Sequence, residues 1–172
     1  MTERQPTFHL RPTEVTDLDA VLAIEQHPEN EPFIGQWSRQ DHAAVIQSAT
    51  REHWILARGS DRTARGYIIA YDLVREGFGV YVKRIVVSDK SVGIGRAALY
   101  SFLQDAFRRR DADSACLVVL RNNERAQRSY RSIGFIEIQL TTSEHTTLQT
   151  VDRFPEDRVV VMRVQSTTLR AP

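Results

Sequence analysis

Two glycines, Gly93 and Gly95, join two segments of opposite character in this 172-residue chain. The β-branched segment Val80–Val87 predicts a strand, and the apolar spacing of Leu99–Phe107 predicts a helix with one buried face. A glycine turn at a helix start leaves backbone N–H groups unpaired at the positive end of the helix. A phosphate or another anion is the natural ligand of such a turn, and a tight turn without a ligand is the alternative.

The glycine spacing excludes two common nucleotide-binding loops. A Rossmann loop needs Gly-x-Gly-x-x-Gly, and Ala98 stands where the third glycine should be. A Walker loop needs Gly-Lys-Ser/Thr after its first glycine, and the sequence lacks it. A second segment, Leu117–Phe135, follows one βα unit downstream, and a lone tyrosine such as its Tyr130 is most simply a core residue of a helix.

Together the two segments resemble the GNAT superfamily of N-acetyltransferases. Lys90–Arg96 resembles the family's pyrophosphate loop, Arg/Gln-x-x-Gly-x-Gly/Ala, with Lys90 in the Arg/Gln place. Asn123-x-x-Ala126-x-x-x-Tyr130-x-x-x-Gly134-Phe135 matches the second motif without a gap. The resemblance covers Trp54–Phe135 well and both ends in outline. Lys90 can meet a phosphate only as a point charge, and Ser91 stands where many members have glycine.

The resemblance implies acetyl-CoA as the acetyl donor. The pantetheine arm would pair with the backbone near Ile85–Val87 as an extra strand, and the pyrophosphate would lie on the N–H groups from Val92 to Arg96. The donor-binding residues expected in this way are Ile85, Val86, Val87, Lys90, Ser91, Val92, Gly93, Ile94, Gly95, Arg96, Asn123, Ala126 and Tyr130.

The reaction implied by the resemblance is direct attack of a primary amine on the thioester. It needs a neutral amine, a held carbonyl and a proton for the departing thiolate. Tyr130 matches the family's usual proton donor, and a phenol with a pKa of about 10 is protonated at pH 7. Backbone N–H groups near Val86 and Val87 would polarise the carbonyl.

The general base is less well defined by the sequence. A peptide α-amine with a pKa of about 8 is about one-tenth neutral at pH 7, whereas an amine near about 10.4 is neutral in about one molecule in 2,500. Val80–Val87 contains no carboxylate, and the nearest acids in sequence are Asp72 and Glu76. We therefore expect an acceptor of lowered pKa and deprotonation through water, with Glu76 as the candidate base.

Acceptor contacts are expected on the loop between two N-terminal helices, which forms one wall of the acceptor site in the family. Its candidates are Glu31, Phe33 and Trp37, with Asp72 added from a neighbouring strand. The pattern around Leu10-Arg11-Pro12 resembles the branch that acetylates ribosomal-protein N-termini, and small amines such as polyamines, amino acids and aminoglycosides stay open. A non-catalytic acyl-CoA sensor or interaction module of the same fold is the alternative function.

The elements that position these residues form the order βααβββαβαββ. This order predicts an α+β fold, a GNAT-like α/β/α sandwich around a mixed, mostly antiparallel sheet in one domain of residues 1–172. The strand ending at Val87 and Ala115–Leu120 should form one parallel pair, since a helix crossover joins them. This pair should splay to bind acetyl-CoA.

The bounds of single elements follow from caps and apolar spacing. The first helix is predicted at Asp17–Gln26 with Glu25 facing water. The second helix runs from Ser38 to about Arg51, the last strands are Phe135–Leu140 and Val159–Val164, and Thr141–Asp157 is a long loop or hairpin extension.

Composition narrows the partners and the compartment. A formal net charge of +1 gives no reason to propose nucleic acid or a membrane surface. The segment Met1–Pro6 lacks an apolar secretory core, which predicts a cytoplasmic protein. Cys116 is expected to be a buried strand residue, and the histidine spacing predicts no metal. A homodimer is expected from the resemblance alone.

Overall fold

A computed structural model describes residues 8–59, 62–90 and 93–172. Among these residues the strands are β1 (Phe8–Pro12), β2 (Arg51–Arg58), β3 (Ala64–Leu73), β4 (Gly79–Val87), β5 (Ser114–Leu120), β6 (Ile136–Ile138) and β7 (Val159–Gln165). The α-helices are α1 (Leu18–Glu25), α2 (Arg39–Ile46), α3 (Ile94–Arg110), α4 (Glu124–Ser132) and α5 (Thr142–Val151). No helix in these ranges is long and apolar enough to cross a membrane.

The strands form one sheet in the order β1-β2-β3-β4-β5-β7-β6. Its parallel pair is β4 with β5, in register from Val80 opposite Ala115 to Val82 opposite Leu117. Strand β7 pairs antiparallel with both β5 and β6. The predicted fold class is therefore confirmed: a mixed, mostly antiparallel sheet with one parallel pair, flanked by helices.

Two compact units make up the chain. The first contains the described residues of Met1–Ile69 and Arg84–Leu99, and the second contains Ala70–Lys83 and Tyr100–Pro172. In the first unit β1 pairs antiparallel with β2, from Phe8 opposite Arg58 to Pro12 opposite Trp54. In the second unit the fully buried side chains of Leu103, Cys116 and Met162 belong to the core.

The N-terminal helices differ from the prediction in two respects. Helix α2 begins after Ser38, whose side chain accepts a hydrogen bond from Asp41 N in a capping box, but it ends at Ile46. The predicted extension to Arg51 was wrong because β2 begins at that residue and pairs with β1 further along. Glu25 was expected to face water, whereas its side chain is fully buried.

The threonine-rich stretch after β6 is helical, which corrects the predicted loop. Thr141 caps α5 in a capping box with Glu144, and Leu148 is fully buried. Arg163 Nη2 of β7 donates to Glu144 Oε1 at 2.7 Å and holds the helix start. Strand β6 is shorter than the predicted Phe135–Leu140, since it pairs with β7 only over Ile136–Ile138.

Candidate functional site

The turn before α3 lies in the first unit, at the N-terminal end of a helix. Gly93 has a φ of +75°, in the left-handed region that favours glycine. Ala97 N donates to Gly93 O at 3.1 Å in the first turn of α3, so the N–H groups of Ile94, Gly95 and Arg96 lie at the N-terminal end of this helix. The first turn carries no acidic side chain that would neutralise the helix dipole. This geometry suits an anion, while Ser91 and Val92 of the predicted loop lie outside the described residues.

The predicted phosphate-loop cation Lys90 is linked to the ends of α1 and β4. Its Nζ donates to Asn30 Oδ1. The Nδ2 of Asn30 donates to Ile24 O at 2.7 Å and lies 3.5 Å from Val87 O. Asn30 is 2% exposed, so this amide connects α1, β4 and the loop from inside. The sequence reasoning missed it, although its place beside helix-breaking prolines marked a turn that needs side-chain hydrogen bonds.

The backbone of β4 near its end is approached closely by Gly66 of β3. A Cβ at Gly66 would lie 2.5 Å from Val86 O, so only glycine fits there. Ser88 N donates to Arg65 O at 2.8 Å, which fixes the chain just after β4. These contacts hold the backbone of Val86 and Val87, the predicted carbonyl-polarising segment.

The predicted acceptor loop is partly exposed. Glu31 and Phe33 lie in a short 3-10 turn, where both side chains are exposed. The indole ring of Trp37 stacks on Arg84, with its centroid 4.2 Å from the guanidinium carbon. The structure therefore brings Trp37 onto the side chain of a β4 residue, and leaves Glu31 and Phe33 accessible.

A buried carboxylate lies directly behind Trp37. Glu25 Oε1 accepts hydrogen bonds from Tyr67 Oη at 2.5 Å and from Arg84 Nη1. Glu25 Oε2 accepts from the backbone N of Trp37 at 3.1 Å. Burial alone would raise the pKa of Glu25, but hydrogen bonds from His42 and Tyr67 and the charge of Arg84 lower it. Glu25 is thus an ionised anchor. Its spacing of four and seven residues from Val21 and Leu18 could have revealed its buried position.

Tyr130 lies on α4 in the second unit. Asn123 Oδ1 caps this helix by accepting from Ala126 N at 3.2 Å, and Gly134 follows it with a φ of +106°. Burial raises the pKa of the Tyr130 phenol to about 12, so it is protonated at pH 7. These observations confirm the predicted helix cap and helix end, while the role of Tyr130 stays a proposal.

Gln127 anchors the same helix to the end of β5. Its Nε2 donates to Leu120 O at 3.1 Å and to Arg121 O at 2.9 Å. The side chain is 6% exposed, although α4 is otherwise strongly polar. Gln127 stands at an unassigned position of the second motif, and a polar residue next to Ala126 gave no signal that it would be buried.

The acidic candidates in the second unit have different surroundings. Asp72 is paired with Arg110, and Glu76 is exposed in the turn after β3. Asp152, directly after α5, accepts from Tyr81 Oη and Lys83 Nζ. A carboxylate therefore does contact β4, brought there by the helix that the sequence reasoning missed.

Comparison with known proteins identifies the family. A family model described as acetyltransferase (GNAT) domain matches residues 7–136, so the chain belongs to the GNAT acetyltransferase family. No curated protein matches the chain in a direct search.

Solved structures show the same fold at low sequence identity. A spermidine N-acetyltransferase from Vibrio cholerae, in complex with CoA and spermine, has a TM-score of 0.72 and 14% identity, covering 94% of this chain and 96% of that one. The ribosomal-protein-S18-alanine N-acetyltransferase from Escherichia coli has a TM-score of 0.67 and 22% identity, covering 96% and 97%. An uncharacterised protein from Bacillus halodurans has a TM-score of 0.74 and 12% identity, covering 95% and 86%.

Proposed function

We propose that this protein transfers the acetyl group of acetyl-CoA to a primary amine. The amine nitrogen forms a bond to the thioester carbonyl carbon, the carbon–sulfur bond breaks, and the sulfur leaves as a thiolate. The thiolate takes its proton from the Tyr130 hydroxyl, and water takes the proton that the amine nitrogen loses. Residues 1–172 act as one N-acetyltransferase domain in this proposal.

The single observation that carries the proposal is the turn before α3. Gly93 has a φ of +75°, and the N–H groups of Ile94, Gly95 and Arg96 follow it in the first turn of the helix. A pyrophosphate is a strong ligand for donors at the positive end of a helix. Family membership and the CoA complex of the Vibrio cholerae enzyme support acetyl-CoA as the particular donor.

The acceptor in this proposal is an α-amine of a peptide or a small molecule. Asp72 is engaged by Arg110, and Asp152 by Lys83 and Tyr81. Glu76 is exposed and stays the candidate base, with water as the carrier of the proton. An amine of lowered pKa needs the least help from such a base. Glu31, Phe33 and Trp37 are the proposed acceptor contacts.

The test is release of free CoA thiol from acetyl-CoA in the presence of an amine panel. The panel contains peptides with free N-termini, amino acids, spermidine and an aminoglycoside. Cys116 is fully buried and burial raises the pKa of its thiol to about 12, so the protein itself gives little thiol signal. Release with an α-amine supports the proposal, whereas acetyl-CoA binding without release to any amine supports the sensor alternative.

Gly93→Val tests the donor site, because valine at a φ of +75° distorts the turn. We expect acetyl-CoA affinity, measured by calorimetric titration, to fall by about tenfold or more. The matched control is Gly77→Val, which carries similar strain at a φ of +72° in an open turn. Equal acetyl-CoA affinity of both variants and the parent protein would contradict the site.

Light scattering tests the homodimer that the resemblance implies. A cytoplasmic location stays a prediction from the sequence.

A further inference from the structure

The carboxylate of Glu25 divides its contacts between two sets of partners. Oε1 accepts from Tyr67 and Arg84 and lies 3.3 Å from His42 Nε2. Oε2 accepts from the backbone N–H of Trp37 at 3.1 Å. One oxygen thus faces the side chains of the core, and the other holds a loop. This division gives the residue a role that core packing alone does not require.

The core side of this network has a defined direction. His42 Nδ1 lies 3.0 Å from His53 Nε2, and His53 Nδ1 lies 2.8 Å from Thr13 Oγ1. A carboxylate only accepts, so the His42 tautomer that suits Glu25 Oε1 has its proton on Nε2. In that tautomer His42 Nδ1 accepts from His53 Nε2–H, and His53 Nδ1 accepts from the Thr13 hydroxyl. Each donor of this chain then points toward Glu25 Oε1, which accepts from Tyr67 and Arg84.

On the loop side of the network lies Trp37, and Glu25 fixes its position through two contacts. Glu25 holds the backbone N–H of Trp37 directly, and it holds the guanidinium of Arg84 on which the indole lies. Arg84 is 7% exposed, so the platform under the indole is itself buried. A cation–π contact that is shielded from water is stronger than an exposed one.

We propose that Glu25 is a positioning residue that fixes Trp37 for the amine acceptor and so sets the affinity for the amine. This inference rests on the proposed function, in which Trp37 contacts the acceptor. Glu25 itself takes no proton from the amine, because its oxygens are occupied by donors and its side chain is fully buried.

Glu25→Gln separates the two sets of partners. The amide oxygen takes the place of Oε1, since Arg84 can only donate and the Tyr67 hydroxyl donates to the same atom. The amide NH₂ then faces the backbone N–H of Trp37, and two donors cannot bond. The variant therefore breaks the link to Trp37 and keeps the others. Tyr67→Phe is the matched control, because it removes one donor from Oε1 and leaves Oε2 untouched.

Two readouts decide the proposal, both in a Trp54→Phe background so that Trp37 is the only tryptophan. Acrylamide quenching of Trp37 fluorescence should rise about twofold in Glu25→Gln and stay unchanged in Tyr67→Phe. The KM for the best amine should rise about tenfold in Glu25→Gln, with kcat and the KM for acetyl-CoA within about twofold. A purely structural role would move all kinetic parameters together.

Unchanged Trp37 quenching in Glu25→Gln would overturn the link, whatever the protein catalyses. Increased quenching with an unchanged amine KM would overturn the role toward the acceptor. A parent protein that acetylates no amine would contradict the proposed function instead, and the quenching readout would still decide whether Glu25 fixes Trp37.

A folding defect is controlled by a second pair of variants. If the unpaired charge of Arg84 unfolds Glu25→Gln, Glu25→Met/Arg84→Gln removes both charges and leaves the Trp37 N–H without an acceptor at position 25. It is compared with Arg84→Gln alone in the same two measurements. Higher quenching and a higher amine KM in the double variant support the proposal, and equal values overturn it.

Discussion

The phenol of Tyr130 is kept protonated by its surroundings. Burial raises its pKa to about 12, so the protonated form is complete at pH 7 and is lost only as the pH rises toward that value. Its ring packs against Phe135 with the centroids 5.9 Å apart. In the proposed reaction this phenol is the proton donor to the departing thiolate.

Tyr130→Phe should therefore lower kcat by about 100-fold and leave the KM for acetyl-CoA within about twofold. In the proposed reaction the hydroxyl acts on the departing sulfur, and phenylalanine keeps the ring contact with Phe135. Steady-state kinetics with the best amine measures both parameters. In the parent protein, ionisation of the Tyr130 phenol should cause no loss of kcat between pH 7 and pH 10, because its pKa is about 12. An unchanged kcat in the variant would remove the proposed role.

Single residues were predictable where local chemistry decides their conformation. Asn123 and Gly134 fit a helix start and a helix end by residue type alone, and both predictions are confirmed. The burial of Glu25 was not predicted, because a carboxylate usually faces water. Its spacing on the helix nevertheless placed it on the buried face. Only the tertiary partners, Arg84 and Tyr67, explain why a carboxylate is buried there.

Elements in this protein are held together at points where glycine lets two backbones approach. Gly134 follows α4 and lies beside the C-terminal segment, where a Cβ would come within 2.4 Å of Thr168 O. The backbone N of Arg170 donates to Ile133 O at 3.0 Å in the same region. The end of α4 and the segment after β7 are thus packed backbone to backbone.

Gly134→Ala should lower the free energy of unfolding by about 2 kcal/mol or more, because it combines a φ of +106° with a clash against backbone. Urea denaturation followed by circular dichroism measures this. Gly59→Ala is the control, since Gly59 has a φ of +55° and no atom of the described residues lies within 4 Å of an added Cβ. If both variants lose the same stability, the close approach contributes nothing beyond the backbone strain.

The predicted elements were most accurate where the apolar pattern is strong. Strand β4, the parallel pair and helix α3 follow from runs of apolar and β-branched residues. Helix α5 was missed because threonine is a weak helix former and the stretch is polar. The signal that remained was the capping box of Thr141 and Glu144. Helix α5 matters for the site because it brings Asp152 into contact with Lys83 and Tyr81.

At the scale of the whole molecule, buried ionisable groups couple stability to pH. His53 is 5% exposed, and burial, together with the neighbouring His42, lowers the pKa of His53 to about 3. Glu25 and Asp17 raise that pKa and Arg84 lowers it, but these effects are smaller. In the unfolded chain His53 titrates near its usual value of about 6.5. The folded protein therefore keeps His53 neutral where the unfolded chain would protonate it.

The sign of the effect follows from proton binding. Between pH 6.5 and pH 3 the unfolded state binds one proton more at His53 than the folded state does, so stability falls as the pH falls. Between pH 7 and pH 5 this group alone should remove about 2 kcal/mol from the free energy of unfolding. The lowered pKa values of Glu25 and Asp17 act in the same direction only at lower pH, as those carboxylates become protonated in the unfolded chain.

His53→Gln isolates this contribution, because glutamine can still hydrogen-bond to Thr13 or His42 but does not titrate. Urea denaturation at pH 7, 6 and 5 should show a decline of about 2 kcal/mol more in the parent protein than in the variant. The variant is expected to be less stable than the parent at pH 7, so the comparison uses the slope with pH and not the stability itself. Parallel pH profiles would show that His53 is protonated in the folded state at pH 5. The buried imidazole of His53 would then be charged, contrary to its lowered pKa.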